Sequence, residues 1–363
     1  MTELEVKLGR IRDLLKQHAA DAFLLQRVEN FAWATCGAAS YVNLASSTGA
    51  ASLLFTPRGR WILTDNIEAG RLQQEERLQE QGWEFQIAPW YEENQAVTEL
   101  TGGLTLAADG ASPRAMDLSG ALPRLRAALT PEEGARFRKL GALCAEAMDS
   151  AIRAVRPGMT EHQIAGMLAH EVVRRGIQPI VNLIAVDERV ARFRHPLPTD
   201  QQLKAYAMLV LCGRLSGLVC SVTRLVHFGR LPDELRRRAD AVARVDAQFI
   251  LASRPGQRLR DVMNKGLDAY RGVGFPDEWK LHHQGGLAGY APREIVATPT
   301  SEDVVAVGQV YAWNPSVTGA KSEDTILVGS DRNEILTTIP GWPTITVKVD
   351  GSSVERPDIL EIL

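Results

Sequence analysis

The chain has 363 residues, 45% apolar and 23% charged, which suits a folded globular protein of about two domains and excludes a disordered, fibrous or small disulfide-stapled one. Its 41 basic and 44 acidic residues leave a net charge of −3, so there is no electrostatic footprint for nucleic acid or an anionic membrane surface. Cys36, Cys144, Cys212 and Cys220 lie apart without a CxxC pair, and reduced thiols in a cytoplasmic setting are expected instead of a disulfide framework or a cysteine-rich zinc site.

The N-terminal MTELEVKLGRIRDLL spaces Leu4, Leu8, Ile11, Leu14 and Leu15 at helical intervals and reads as a charged amphipathic helix over residues 3–19, not as a secretory leader. DAFLL (Asp21 to Leu25) then reads as a buried strand. Strands at Ala51 to Phe55 and Trp61 to Leu63 flank the turn TPRGR, and a helix rich in Glu, Gln and Arg is expected over about Ile67 to Gln81. In the motif-bearing region the longest strongly apolar run, Ala205 to Cys212, is far shorter than the roughly 20 residues that span a bilayer. No membrane partner is expected. The first domain, α/β in character, closes near residue 128, because Thr130-Pro131-Glu132-Glu133 offers an N-cap Thr, a Pro at the first helical position and a capping Glu.

The second half carries a faint internal repeat. A helix over Glu132 to Val155 stops at Arg156-Pro157-Gly158 and is followed by another, opened by Thr160 and Gln163. A helix over Asp233 to Ala252 stops at Arg254-Pro255-Gly256 and is followed by one over about Leu259 to Tyr270. The two Arg-Pro-Gly turns are 98 residues apart. Strand-rich stretches follow each pair, at Pro179 to Phe228 and Gln309 to Val328, so two helix-helix-sheet halves with a cleft between them are expected. Pro and Gly are also ordinary helix stops, so the period alone does not establish the repeat.

Arg156 to Glu161, His195-Pro196 in RFRHPLPTD, Thr223-Arg224, His283 and Ser322-Glu323-Asp324-Thr325 follow one another in an order that resembles the pita-bread superfamily of methionine aminopeptidase, aminopeptidase P, prolidase and creatinase. DAFLL, VENFAWATCG and RWILTD resemble the creatinase-type N-terminal domain, so the likeness covers nearly the whole chain and favours the prolidase and creatinase branch. It implies an α/β (α+β) protein with a creatinase-like domain over residues 1–128, a pita-bread pseudo-twofold domain over residues 129–363, and a homodimer.

Peptidases of that superfamily hold two divalent ions with two Asp on a β-hairpin, a His and two Glu, and activate a bridging water. Here the hairpin is expected at Met208 to Phe228, and no Asp or Glu stands between Asp200 and Asp233. Ser221 in Ser221-Val222-Thr223-Arg224 stands where the second Asp is expected, and the first falls near Val210. Asn314 in Asn314-Pro315-Ser316 replaces the Glu of a Glu-Pro-Gly motif. His283 and Glu323 remain, so one carboxylate stands where the family has four. Two closely spaced dications need more anionic oxygen than that, and neither a two-metal centre nor any other cofactor is expected. Cys212, Cys220 and His227 are read as core packers, not as a substitute zinc site.

His195 resembles the acid/base of creatinase, which hydrolyses a C–N bond without metal. The resemblance therefore implies His195, His283 and Glu323 as catalytic residues, with Arg293, Tyr290, Asn314 and Ser221 against the substrate. Tyr290 in GLAGYAPRE replaces a second family His, and Arg293 is a candidate clamp for a substrate carboxylate. Competing structural readings exist: His195 capping a loop beside Pro196, Glu323 pairing with an internal Arg, and Arg293 exposed on the surface. Arg224 reads as a structural tie, and Asp324 should face away from Glu323 on a strand. His282 reads as a solvated or packing neighbour and Trp33 as core, while Trp33 and Tyr41 are also candidates to close a cleft across a dimer. The expected function is metal-independent hydrolysis of a small C–N (amide or amidine-type) compound or short peptide. The alternatives are an inactive binding module for a peptide or protein partner, and a metallo-dipeptidase with unorthodox ligands.

Overall fold

The computed structural model describes residues 1–92, 95–349 and 351–363. The chain divides into two compact units, Met1–Arg126 with the hairpin tip Ser216–Leu218, and Ala127–Leu215 with Val219–Leu363. Among the described residues no helix is long and apolar enough to cross a membrane.

In the first unit the helix Glu3–Gln17 opens with a complete capping box between Thr2 and Glu5. It leads to a six-stranded mixed sheet in which Ala22–Arg27 pairs antiparallel with Thr48–Thr56 and parallel with Leu106–Ala108. VENFAWA forms a short helix, Val28–Ala34, not anticipated from the sequence, with Phe31 and Trp33 fully buried. The long helix expected over residues 67–81 does not form. Ala69–Gln74 is helical, Arg77 turns left-handed at φ +52°, and Leu78–Gln81 continues as a 3-10 turn. Leu72 and Leu78 are both buried, and residues six apart lie on different faces of a straight helix, so the chain breaks to bury both.

In the second unit Thr130 and Glu133 form a capping box and Pro131 starts the helix Pro131–Ala154. This helix and Glu161–Val173 accompany a sheet of Gln178–Val186, Tyr206–Leu215, Leu218–Phe228 and Leu360–Ile362. Ser216 and Gly217, at φ +49° and +77°, make the tight turn of the central hairpin. The helices Asp233–Ala252 and Leu259–Gly272 accompany the second sheet, which is built on Gly285–Ala288, Val310–Trp313 and Asp324–Leu327.

The repeat is visible in matching hydrogen bonds. Gly158 (φ +89°) donates its N–H to Leu203 at 2.7 Å, and Gly256 (φ +85°) donates to Val305 at 2.8 Å. Short antiparallel bridges follow each turn, Thr160 with Gln202 and Arg258 with Val304. The two sheets touch where Thr223 bridges Glu323 and where Thr325 Oγ1 exchanges hydrogen bonds with the Ser221 backbone. Gly285 is required at this closely packed centre, since a Cβ there would lie 2.1 Å from the Ala312 carbonyl oxygen.

Candidate functional site

Two segments bring imidazoles together. His195 follows Arg194 in the loop after the helix Glu188–Arg192, and His282 and His283 follow the 3-10 turn Glu278–Leu281. Arg194 Nη2 donates to Glu278 Oε2 at 2.7 Å and to Thr318 Oγ1 at 3.0 Å. Glu278 also accepts from the Thr318 N–H at 2.9 Å. The buried Gln284 fixes the other side, accepting from Tyr270 Oη at 2.7 Å and donating to the His282 carbonyl at 2.5 Å.

His195 Nε2 and His282 Nε2 are consequently 3.0 Å apart, one ring donating and the other accepting. Their planes meet edge to face, while His282 and His283 stack with centroids 4.3 Å apart. One ligand nitrogen of each ring lies within 4.8 Å of the others. His195 and His283 are exposed and His282 is half-buried. Desolvation, followed by the positive charge of Lys321, pulls His195 below the usual imidazole range. His282 is lowered to about 3 by desolvation, then by Lys321 and the other two rings. His283 is lowered to about 4 by desolvation, then by Arg293 and His195. Three neutral imidazoles near neutral pH are bases that carry no charge of their own, and in the pair of His195 and His282 one ring's lone pair accepts the other's N–H.

The charged part of the site is a buried triad. Glu323 Oε1 accepts from Arg293 Nη2 at 3.0 Å, and Oε2 accepts from Lys321 Nζ at 2.8 Å and Thr223 Oγ1 at 2.6 Å. Burial alone would raise the carboxyl, but Lys321 and Arg293 outweigh it and hold Glu323 at about 2. Arg293 Nη1 also donates to Ser221 Oγ at 3.2 Å, and Ser221 Oγ lies 3.3 Å from Cys212 Sγ. Burial raises the Cys212 thiol to about 11, so it is no nucleophile here. Lys321 was not anticipated. Its signal was the period of two: Lys321 and Glu323 alternate around Ser322 along extended chain and share a face.

The remaining predicted residues separate. Asn314 is buried, its N–H donating to the Gln284 carbonyl at 3.0 Å, and its Oδ1 has no hydrogen-bond partner among the described residues. The Tyr290 hydroxyl donates to Glu133 Oε1 at 2.7 Å, at the start of the helix Pro131–Ala154. Arg293 is not exposed on the surface: its side chain is largely buried and engaged by Glu323, Ser221 and the Pro292 carbonyl. Asp324 faces a separate buried network of Arg224 at 2.9 Å and Arg356 at 2.5 Å. Cys220 sits beside Cys144, and His227 Nδ1 meets the Gly229 carbonyl at 2.9 Å; these two and Cys212 do not gather into a ligand set. Within the first unit Trp33 is fully buried and Tyr41 is half-buried.

Residues 7–133 match the Creatinase/Prolidase N-terminal domain, and residues 135–330 match metallopeptidase family M24. An uncharacterized peptidase of Staphylococcus saprophyticus is 26% identical over 233 residues, covering 61% of this chain and 65% of that protein. A counterpart from Staphylococcus aureus is 25% identical over 236 residues, with the same coverages of 61% and 65%. The chain thus spans about 65% of the length of these curated relatives. Among solved structures, prolidase from Pyrococcus horikoshii superposes with a TM-score of 0.78 at 17% identity, covering 92% of this chain and 98% of that one. An Xaa-Pro dipeptidase from Bacillus anthracis gives 0.77 at 16% identity, covering 99% and 100%. The N-terminal domain of the FACT complex subunit SPT16 from chickpea gives 0.72 at 12% identity, covering 93% and 97%. With an M24 match over more than half its length behind a Creatinase/Prolidase N-terminal domain, the chain belongs to metallopeptidase family M24.

Proposed function

We propose that this M24 protein hydrolyses a C–N bond of a short peptide or small amide-type or amidine-type substrate without the family's paired-metal centre. The observation that carries this reading is the buried Glu323, whose two carboxylate oxygens are already engaged by Arg293 and Lys321. Ser221, Asn314, His283 and Glu323 do not fit two divalent ions. They supply one carboxylate, and side-chain cations already over-compensate its charge.

The remaining chemistry is imidazole chemistry. His195 takes a proton from a water molecule as that water's oxygen bonds to the substrate carbon. It then returns the proton to the leaving nitrogen as the C–N bond breaks, so one ring serves both steps. His282, at 3.0 Å, orients the His195 ring, and His283 faces the same opening and holds water or substrate. A homodimer and a cytoplasmic setting belong to this proposal through the family resemblance.

The test pairs elemental analysis of chelator-treated protein with hydrolysis of Xaa-Pro dipeptides and small amides and amidines. Turnover by metal-free protein, abolished by His195→Ala, supports the proposal. Two ions per chain accompanied by dipeptide cleavage would overturn it in favour of a metallo-dipeptidase with unorthodox ligands. A non-catalytic binding role is the second reading, favoured by the same engagement of Glu323, which leaves no free carboxylate at the triad to activate water. It predicts retained peptide binding with no turnover of any substrate.

A further inference from the structure

We propose that His195, His282 and His283 form a binding site for a single transition-metal ion of the zinc class, which differs from a paired-metal centre in stoichiometry and in its all-imidazole donor set, although it shares His283. Among the described residues these three side chains bring one ligand nitrogen each to within 4.8 Å of one another. Imidazole nitrogen suits zinc, cobalt, nickel and copper, and three imidazoles with an open fourth position is an established zinc arrangement.

The geometry needs two adjustments. Zinc–nitrogen bonds of about 2.0–2.1 Å place tetrahedral ligand nitrogens roughly 3.3 Å apart. His195 Nε2 and His282 Nε2 already stand 3.0 Å apart. An ion replaces their shared proton after an opening of a few tenths of an ångström. The remaining nitrogen, up to 4.8 Å away, must close by about 1.5 Å, which requires the exposed His283 ring to turn out of its stack on His282.

The backbones carrying the rings are fixed beforehand, by Arg194 on Glu278 and by Gln284 on the His282 carbonyl. That lowers the ordering cost of binding. Two features set a moderate affinity. The triad of Arg293, Lys321 and Glu323 carries a net positive charge and opposes a cation nearby. The buried His282 Nδ1 has no hydrogen-bond partner among the described residues, so it lacks the outer contact that usually locks a ligating ring.

Occupancy takes the lone pair that His195 uses in the proposed hydrolysis, so zinc is expected to suppress turnover. That consequence rests on the proposed function; the binding does not.

The test uses the full chain without a histidine tag, stripped with chelator and titrated with Co²⁺ at slightly alkaline pH. The readouts are the visible d–d absorption band and elemental analysis. One ion per chain is expected, displaced by Zn²⁺. His282→Ala and, separately, the solvent-facing His283→Ala should each weaken binding by at least about tenfold. His227→Ala should leave it unchanged. Absence of a band, an undiminished band in both His282→Ala and His283→Ala, or two ions bound per chain would overturn the proposal, whether or not the protein hydrolyses anything.

Discussion

Arg194 and Glu278, 84 residues apart, form an ion pair at 2.7 Å that joins the residue before His195 to the turn before His282. Both side chains are more than four-fifths buried, at 18% and 17% exposure, so the pair is largely screened from water and fixes the approach of the two rings. Glu278→Ala takes the carboxylate from the Arg194 guanidinium, leaving it Thr318 Oγ1, and removes the acceptor of the Thr318 N–H, which should lower stability by about 2–3 kcal/mol. Glu278→Gln retains one acceptor oxygen and should lose less. Urea midpoints rank the variants, and any His195-dependent turnover should fall in the same order. Equal midpoints for both variants and the parent would show that the pair does not hold the loop.

Glu323 is the keystone of the charged triad. Glu323→Gln leaves Arg293 and Lys321 buried without a counter-charge, an error of about 3–5 kcal/mol for a broken buried pair. Lys321→Met keeps the contact between Arg293 and Glu323 and substitutes an apolar stem of similar length, so its effect should be much smaller. Chemical denaturation of the two variants side by side checks the asymmetry. Should Lys321→Met prove the more damaging, Lys321 would be engaged by something other than Glu323.

Tyr290 provides a control on the boundary of the site. Tyr290→Phe removes a hydroxyl that donates to the buried Glu133, so a stability loss of about 1–2 kcal/mol is expected. Substrate affinity and turnover should be unchanged. A raised KM with an unaltered melting temperature would return Tyr290 to the substrate.

Much of the scaffold was legible because its signals are local. Thr130, Pro131 and Glu133 mark a helix start through contacts three residues long, and Gly158 and Gly256 mark matching turns through their positive φ. Glu323 and Asp324 face different partners because neighbours on extended chain alternate. The site was less legible because its contacts are long-range. Ser221 meets Arg293 across 72 residues and Tyr290 meets Glu133 across 157, and nothing in either local sequence encodes the partner. In the sequence His282 reads as a bystander for the same reason: only the loop held by Arg194 places His195 against it. Polar residues 67–81 misled in the opposite direction, since helix-favouring composition did not reveal that Leu72 and Leu78 must both be buried.

The depressed imidazoles make stability depend on pH in a defined direction. His282 and His283 titrate near 3 and 4 in the folded chain against an ordinary value of 6.5. Near pH 7.5 both rings are almost wholly neutral in the folded and unfolded states, and at pH 7 the unfolded rings are already about a quarter protonated, so the pH slope has begun. As pH falls below 6.5 the unfolded chain takes up protons that the folded chain refuses. The unfolded state then binds more protons, and stability declines steadily until the folded rings protonate. Glu323, held at about 2 against 4.5, adds a second decline of the same sign that begins nearer pH 4.5. Melting temperatures measured in chelator between pH 7.5 and pH 5 should therefore already fall in the parent, before carboxylates titrate. The slope should be shallower in His282→Gln, which keeps a polar side chain but cannot take up the proton. Identical slopes in the two proteins would mean that His282 is not held neutral by its surroundings, and the stacked arrangement with His283 would then have to open in solution.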